Sequence, residues 1–470
     1  MWGLTGKIDV WSARLPAALC GALAVLLAMD LARRTIGRDA SILAGLIWVS
    51  TWFVVSEYRK AMADPYLGFF VLLTVWAWIA GDQARDRRTA TLLILLAYAA
   101  AALAALAKGH LILVHGLLAL VPYHLLLRRR PRFGRVHAVG GIAFLIVAAA
   151  WPVYIWRTVP NAWAIWKVDV VASEATSGQK FSPVYDYVVA LPQTSAPWTV
   201  FLIVGMVMAV VGGALPEPPP LPSHPAISAA ARVPGEGEKE INNRGALWAL
   251  IWLLATIVLF SFLSMKKPTY LLPAMPAQTL LAAAGMAAAV RMITSGDRFL
   301  LKAHLVAAFI FLAALWYWPT ARPLVVGLLI ACGLAWFLVR TPNLGMRIAI
   351  VTALAFGACV HVIESWLSPV YLNRFSDAPF ARAIDQRVGD EPLKFIGGGL
   401  REDVLFYLGG RTVPRVESMD QLPADYQGFA IVPADQVDRV RQSGRAEELS
   451  GSADRNPKDR MFFFRIGQPR

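Results

Sequence analysis

The sequence predicts an α-helical polytopic membrane protein with about twelve spans, followed by a small α/β domain at the C-terminal end. Three observations lead there. Of 470 residues, 57% are hydrophobic and 16% charged, where a soluble domain carries about a quarter charged. Apolar runs recur between short loops, and arginines cluster in alternate loops. Beyond Trp366 the composition turns to that of a soluble chain.

A helix needs about twenty apolar residues to cross a bilayer. Runs of this kind lie at 14–32, 40–56, 65–81, 90–107, 109–127, 137–156, 197–215, 245–264, 270–291, 299–318, 322–340 and 346–366. The loops holding Arg33, Arg34 and Arg38, then Arg85, Arg87 and Arg88, then Arg128 to Arg135, then Arg291 and Arg298, then Arg340 and Arg347, fall on one side. The positive-inside rule makes that side cytoplasmic. The net charge of +14 is therefore topological, and no nucleic-acid partner is expected. Cys20, Cys332 and Cys359 lie inside apolar runs as small core residues.

The transmembrane domain is expected over 1–366. It contains an extracytoplasmic loop at 157–196 and a cytoplasmic linker at 216–244, rich in Pro, Glu and Gly, whose composition buries no core. The proline run also fits an SH3-type ligand; a plain linker needs no partner. The domain at 367–470 is expected to lie outside. Ser376 or Asp377 caps a helix with Phe380, Ile384 and Val388 on one face. Strands at Lys394–Gly397, 428–433 and 461–466 alternate with helices at 401–408 and 434–441, which is α/β patterning. Gly397, Gly398 and Gly399 lack the rest of a phosphate-loop signature and read as a turn.

The unusual polar residues sit at the outer span ends. Arg59 and Lys60 precede Asp64 and Pro65, where Asp64 reads as a helix cap, and equally as a carboxylate able to orient a hydroxyl or hold a divalent ion. Lys108 lies between two apolar runs, where a lysine snorkels, pairs or works. Lys266 and Lys267 open a turn stiffened by Pro268 and Pro273, suited to a lipid phosphate. Trp163, Trp166 and Asp169 fall in the aromatic outer loop, either an interfacial belt or a groove for an isoprenoid tail and sugar. Cations on the face that topology leaves poor in positive charge point to a phosphorylated lipid partner.

Four segments, Ser12-Ala13-Arg14-Leu15-Pro16, Ala63-Asp64-Pro65, Ala107-Lys108-Gly109 and Ser264-Met265-Lys266-Lys267-Pro268-Thr269-Tyr270-Leu271-Leu272-Pro273, together with Phe406-Tyr407-Leu408-Gly409, carry a resemblance. In this order the chain resembles membrane glycosyltransferases of the C-type fold, in the protein O-mannosyltransferase and aminoarabinose (lipid A) transferase superfamily. The resemblance implies transfer of a hexosyl or pentosyl group from a polyprenyl-phosphate donor to a glycolipid, lipid A-like or protein acceptor at the outer face of a bacterial inner membrane. It implies phosphate binding by Lys108, Lys266 and Lys267, a donor site lined by Tyr270, and Asp64 as the second outer-loop acid; a divalent metal sometimes assists. The family also begins with a further span and a loop carrying its principal acid, which would precede Met1. A start upstream, an inactive remnant acting as a scaffold, and a lipid-linked substrate transporter stand beside the enzyme reading.

Overall fold

The computed structural model describes residues 10–127, 134–164, 183, 185–211, 236–262, 266–294, 322–339, 343–367, 377–397, 402–408, 411–452 and 460–467, with scattered positions between 302 and 317. The chain forms two compact units, one of residues 16–362 and one of residues 363–470 with 1–15.

The larger unit is helical. Its elements are α1 (Val10–Thr35), α2 (Arg38–Ser50), α3 (Trp52–Glu57), α4 (Ala63–Asp82), α5 (Arg87–Lys108), α6 (Leu111–Leu126), α7 (Arg135–Thr158), α8 (Asp186–Ser195), α9 (Thr199–Val211), α10 (Glu236–Ser261), a 3-10 turn (Pro268–Ala274), α11 (Met275–Thr294), α12 (Arg322–Leu338) and α13 (Leu344–Val362). Among the described residues, seven helices are long and apolar enough to cross a membrane, or eight if one bent pair is a single span. This is a multi-pass membrane protein.

Several predicted runs differ in detail. The run 40–56 breaks at Thr51, whose backbone is extended. Ser50 and Thr51 turn their hydroxyls back onto the Leu46 and Ile47 carbonyls, which competes with helix continuation. The Trp52 amide then donates to the Ala196 carbonyl at 3.0 Å. The run at 197–215 is entered through a bend of 116° between α8 and α9, so the predicted loop 157–196 ends in a helix. Residues 236–244, assigned by composition to the linker, open α10 instead; continuity with an apolar helix extends it into polar sequence. Most of 299–318 and of the linker lies outside the described residues.

Close backbone contact holds the bundle together. A Cβ built on Gly205 of α9 would stand 1.9 Å from the Leu281 carbonyl oxygen, and one on Gly285 of α11 would stand 2.1 Å from that of Phe201. Only glycine permits such an approach. Residues 271–290, the end of the 3-10 turn and most of α11, are buried throughout, whereas α7 turns most of its surface away from protein, with Ile146, Trp151 and Trp156 exposed. A lipid-facing helix has that pattern. Near the opposite end from Lys108, Asp30 of α1 accepts from Trp76 Nε1 of α4 at 2.9 Å and from Arg34 at 2.5 Å.

The smaller unit holds α14 (Ala378–Val388), β1 (Leu393–Ile396), α15 (Glu402–Tyr407), β2 (Arg415–Val416), β3 (Gly428–Pro433), α16 (Val437–Gln442), β4 (Ala446–Gly451) and β5 (Met461–Ile466). The sheet order is β2-β1-β3-β5-β4. β1 pairs parallel with β2 and β3, while β5 pairs antiparallel with β3 and β4. Both faces are covered. Phe380, Ile384 and Val388 pack with Phe395, Phe429 and Phe463 on one, and Val437 and Val440 pack with Ile396, Val432 and Phe464 on the other. Asp377 occupies the N-cap position of α14 without a side-chain capping bond.

Tyr426 ties this unit together. Its hydroxyl lies 2.9 Å from the Phe429 carbonyl and 3.1 Å from that of Pro392. Burial pushes its phenol up from 10.0 to about 12. A raised phenol contributes stability that is complete below pH 10.0 and is lost as pH climbs through about 12. Tyr426→Phe is expected to cost about 1 kcal/mol at neutral pH. It should also flatten the alkaline fall in stability, read by circular dichroism of the full chain during a pH titration.

Candidate functional site

The site grows from the N-terminal end of α4. The sequence suggests Asp64 as the cap, with Pro65 first in the helix. The helix in fact begins at Ala63, Met62 is the cap residue, and no side chain caps it. Asp64 therefore sits within the first turn, 5% exposed, with its carboxylate turned to another partner. That partner is Lys108, the last residue of α5, whose Nζ lies 2.5 Å from Asp64 Oδ1. Gly109 follows with φ 64, a conformation glycine adopts freely. It ends α5 and lets α6 start almost at once.

Lys108 also stands over the Tyr270 ring, 5.2 Å from its centre, within cation–π range. Tyr270 belongs to the 3-10 turn, and its amide donates to the Lys267 carbonyl at 3.0 Å. Pro268 and Pro273 lie within that turn and restrict its backbone. The structure thus joins three of the sequence-predicted residues, Asp64, Lys108 and Tyr270, and links them through a stiff turn to Lys266 and Lys267. Lys266 is half-buried and Lys267 exposed.

The other expected residues fall differently. Arg59 is half-buried after α3. Its neighbour Lys60 pairs with Glu57, a carboxylate only 4% exposed. Trp163 is 67% exposed just beyond α7. Trp166 and Asp169 lie outside the described residues.

The wall of the site combines Tyr187, one of the outer-loop aromatics, with Phe260 and His115, which sequence reasoning passed over. Tyr187 of α8 is buried and faces Tyr270 and the backbone of Lys267. Phe260 of α10 lies 6.1 Å from Tyr270, ring centre to ring centre, and His115 of α6 lies 5.0 Å from Phe260. A lone histidine inside an apolar run was the available signal for His115.

An ammonium donates three hydrogen bonds, and the Asp64 contact uses one. The carboxylate fixes the position of the ammonium, and among the described residues no second hydrogen-bond acceptor is recorded for it. A divalent ion fits poorly. It asks for several oxygen ligands, Asp64 already faces a cation, and among the described residues no three His, Cys, Asp or Glu side chains gather.

The class that the fold defines is a multi-pass helical membrane bundle. Its fold is similar to crystal structures of ArnT from Cupriavidus metallidurans, apo and bound to undecaprenyl phosphate. TM-scores are 0.71 and 0.70, with 19% and 20% identity over 99% of this chain and 85% of each neighbour. Residues 1–156 match the family described as dolichyl-phosphate-mannose-protein mannosyltransferase.

An undecaprenyl phosphate-α-4-amino-4-deoxy-L-arabinose arabinosyl transferase from Pseudomonas aeruginosa (strain LESB58) is 26% identical over 349 residues. The match covers 70% of this chain and 58% of that relative. A transferase of the same description from Edwardsiella ictaluri is 22% identical over 266 residues, 56% of this chain and 43% of its own length. The chain is thus similar to the protein mannosyltransferases over residues 1–156 and, in its fold, to ArnT. It spans less than two thirds of the length of the curated relatives it matches.

Proposed function

We propose that this protein transfers a sugar from a polyprenyl-phosphate donor to an acceptor hydroxyl or phosphate at the outer face of a bacterial inner membrane. The observation that carries this reading is the Lys108–Asp64 pair mounted over Tyr270, beside the Lys266–Lys267 turn. The acceptor oxygen attacks the anomeric carbon, and its proton passes to a base. The bond from that carbon to the phosphate oxygen breaks, and the polyprenyl phosphate leaves with the electron pair. Lys108, Lys266 and Lys267 stabilise the charge that grows on the phosphate. Asp64 holds Lys108 in place throughout, and Tyr270 forms the floor beneath the headgroup.

The same reading gives about twelve spans, the smaller unit outside the membrane, and 216–235 on the cytoplasmic side. The names of the curated relatives support a lipid-linked pentose donor; a hexose fits the clamp equally well, since the clamp addresses the phosphate.

The test is direct. Full chain in nanodiscs is incubated with a panel of labelled polyprenyl-phosphate sugars and a membrane lipid extract. Release of polyprenyl phosphate with label appearing in an acceptor is the expected result. Failure of undecaprenyl phosphate to bind at all overturns the proposal.

A further inference from the structure

His115 is fully buried in α6, and among the described residues neither of its ring nitrogens has a hydrogen-bond partner. Its ring lies flat against Phe260, with centres 5.0 Å apart and planes 17° from parallel. Stacking covers one face of the imidazole and gives its nitrogens no partner, because both lie in the ring plane, where apolar packing covers them. A phenyl ring would stack as well without burying a dry polar edge, and a buried donor or acceptor left unpaired is destabilising. The position of the ring is informative too. Phe260 leads on to Tyr270, Tyr270 lies under Lys108, and Lys108 is within electrostatic reach of His115.

We infer that His115 is a further headgroup-binding residue, whose imidazole N–H donates to an oxygen of the lipid phosphate held by Lys108. A neutral imidazole carries one donor and one acceptor. The second nitrogen then accepts from a hydroxyl of the attached sugar. A sugar phosphate on a polyprenyl tail supplies both partners; a neutral lipid alcohol supplies no phosphate oxygen. Phe260 fixes the plane of the ring. The inference rests on the phosphate site proposed above.

The experiment compares binding of undecaprenyl phosphate and of undecaprenol to the full chain in nanodiscs, using wild type, Lys108→Met, His115→Phe and His115→Gln. His115→Phe keeps the stack and removes the donor. It should weaken undecaprenyl phosphate binding about tenfold, the scale of one hydrogen bond to a charged group, and leave undecaprenol unchanged. His115→Gln loses the ring, keeps an N–H, and should retain most of the preference for phosphate.

If Lys108→Met binds undecaprenyl phosphate as wild type does, the phosphate site itself is wrong and this inference goes with it. If Lys108→Met loses binding while His115→Phe keeps the wild-type preference, only the inference is overturned. Equal loss of preference in His115→Gln and His115→Phe overturns it as well, by assigning the effect to packing. If His115→Phe does not fold, His115→Leu, which also removes the donor, takes its place in the comparison with His115→Gln.

Discussion

Lys108→Met is expected to abolish polyprenyl-phosphate binding and sugar transfer, and to destabilise the protein as well. Asp64 is 7% exposed at its side chain and Lys108 28%. Removing the ammonium strands a carboxylate in a nearly dry site. Breaking a buried pair costs about 3–5 kcal/mol, and the partial exposure of Lys108 favours the lower end. The double substitution Asp64→Asn with Lys108→Met separates the two effects. It should recover most of the lost stability, since no uncompensated charge remains, and recover none of the binding. Thermal melting in detergent and a lipid-binding titration read the two quantities independently. Binding restored in the double variant would show that the pair is structural only.

Gly205→Ala and Gly285→Ala are expected to prevent formation of the bundle. The added methyl at either position meets a carbonyl oxygen of the facing helix at about half of normal contact distance, 1.9 Å from Leu281 and 2.1 Å from Phe201. Both obstacles are backbone, so no side-chain rotation relieves them. Overpacking of a well-filled interior costs about 1–3 kcal/mol where side chains yield; here α9 and α11 must move apart. The expected outcome is loss of the monodisperse peak in detergent gel filtration. Gly327→Ala in α12, where no described residue lies within 4 Å of the new carbon, should elute as wild type. A normal Gly205→Ala profile would mean that α9 does not lie against α11.

Much of this arrangement could be read before any coordinates. A lysine in an apolar run, as at Lys108, demands a partner, so its importance was legible. The identity of the partner was not, because Asp64 lies 44 residues earlier and only the packing of α4 on α5 brings the two together. The turn at Lys266–Pro273 was legible from its prolines. The role of α8 was not, because a ten-residue helix after a loop has too weak a periodicity to stand out.

In the smaller unit, β1, β3 and β5 declare themselves as apolar runs, since each is buried on both faces or nearly so. β2 and β4 escaped because they are edge strands. One is two residues long and the other reads Ala-Glu-Glu-Leu-Ser-Gly, mostly exposed, and neither has an apolar alternation to detect.

Those unobtrusive edges have a consequence of their own. A free strand edge invites pairing with a strand from another chain, and short length, charge and irregular register discourage it. β2 offers too little ladder to template a neighbour. β4 carries Glu447 and Glu448 and slips register between Glu448 and Ser450. Copies of this protein meeting edge to edge would find, among the described residues, no continuous ribbon through which their smaller units could stitch together.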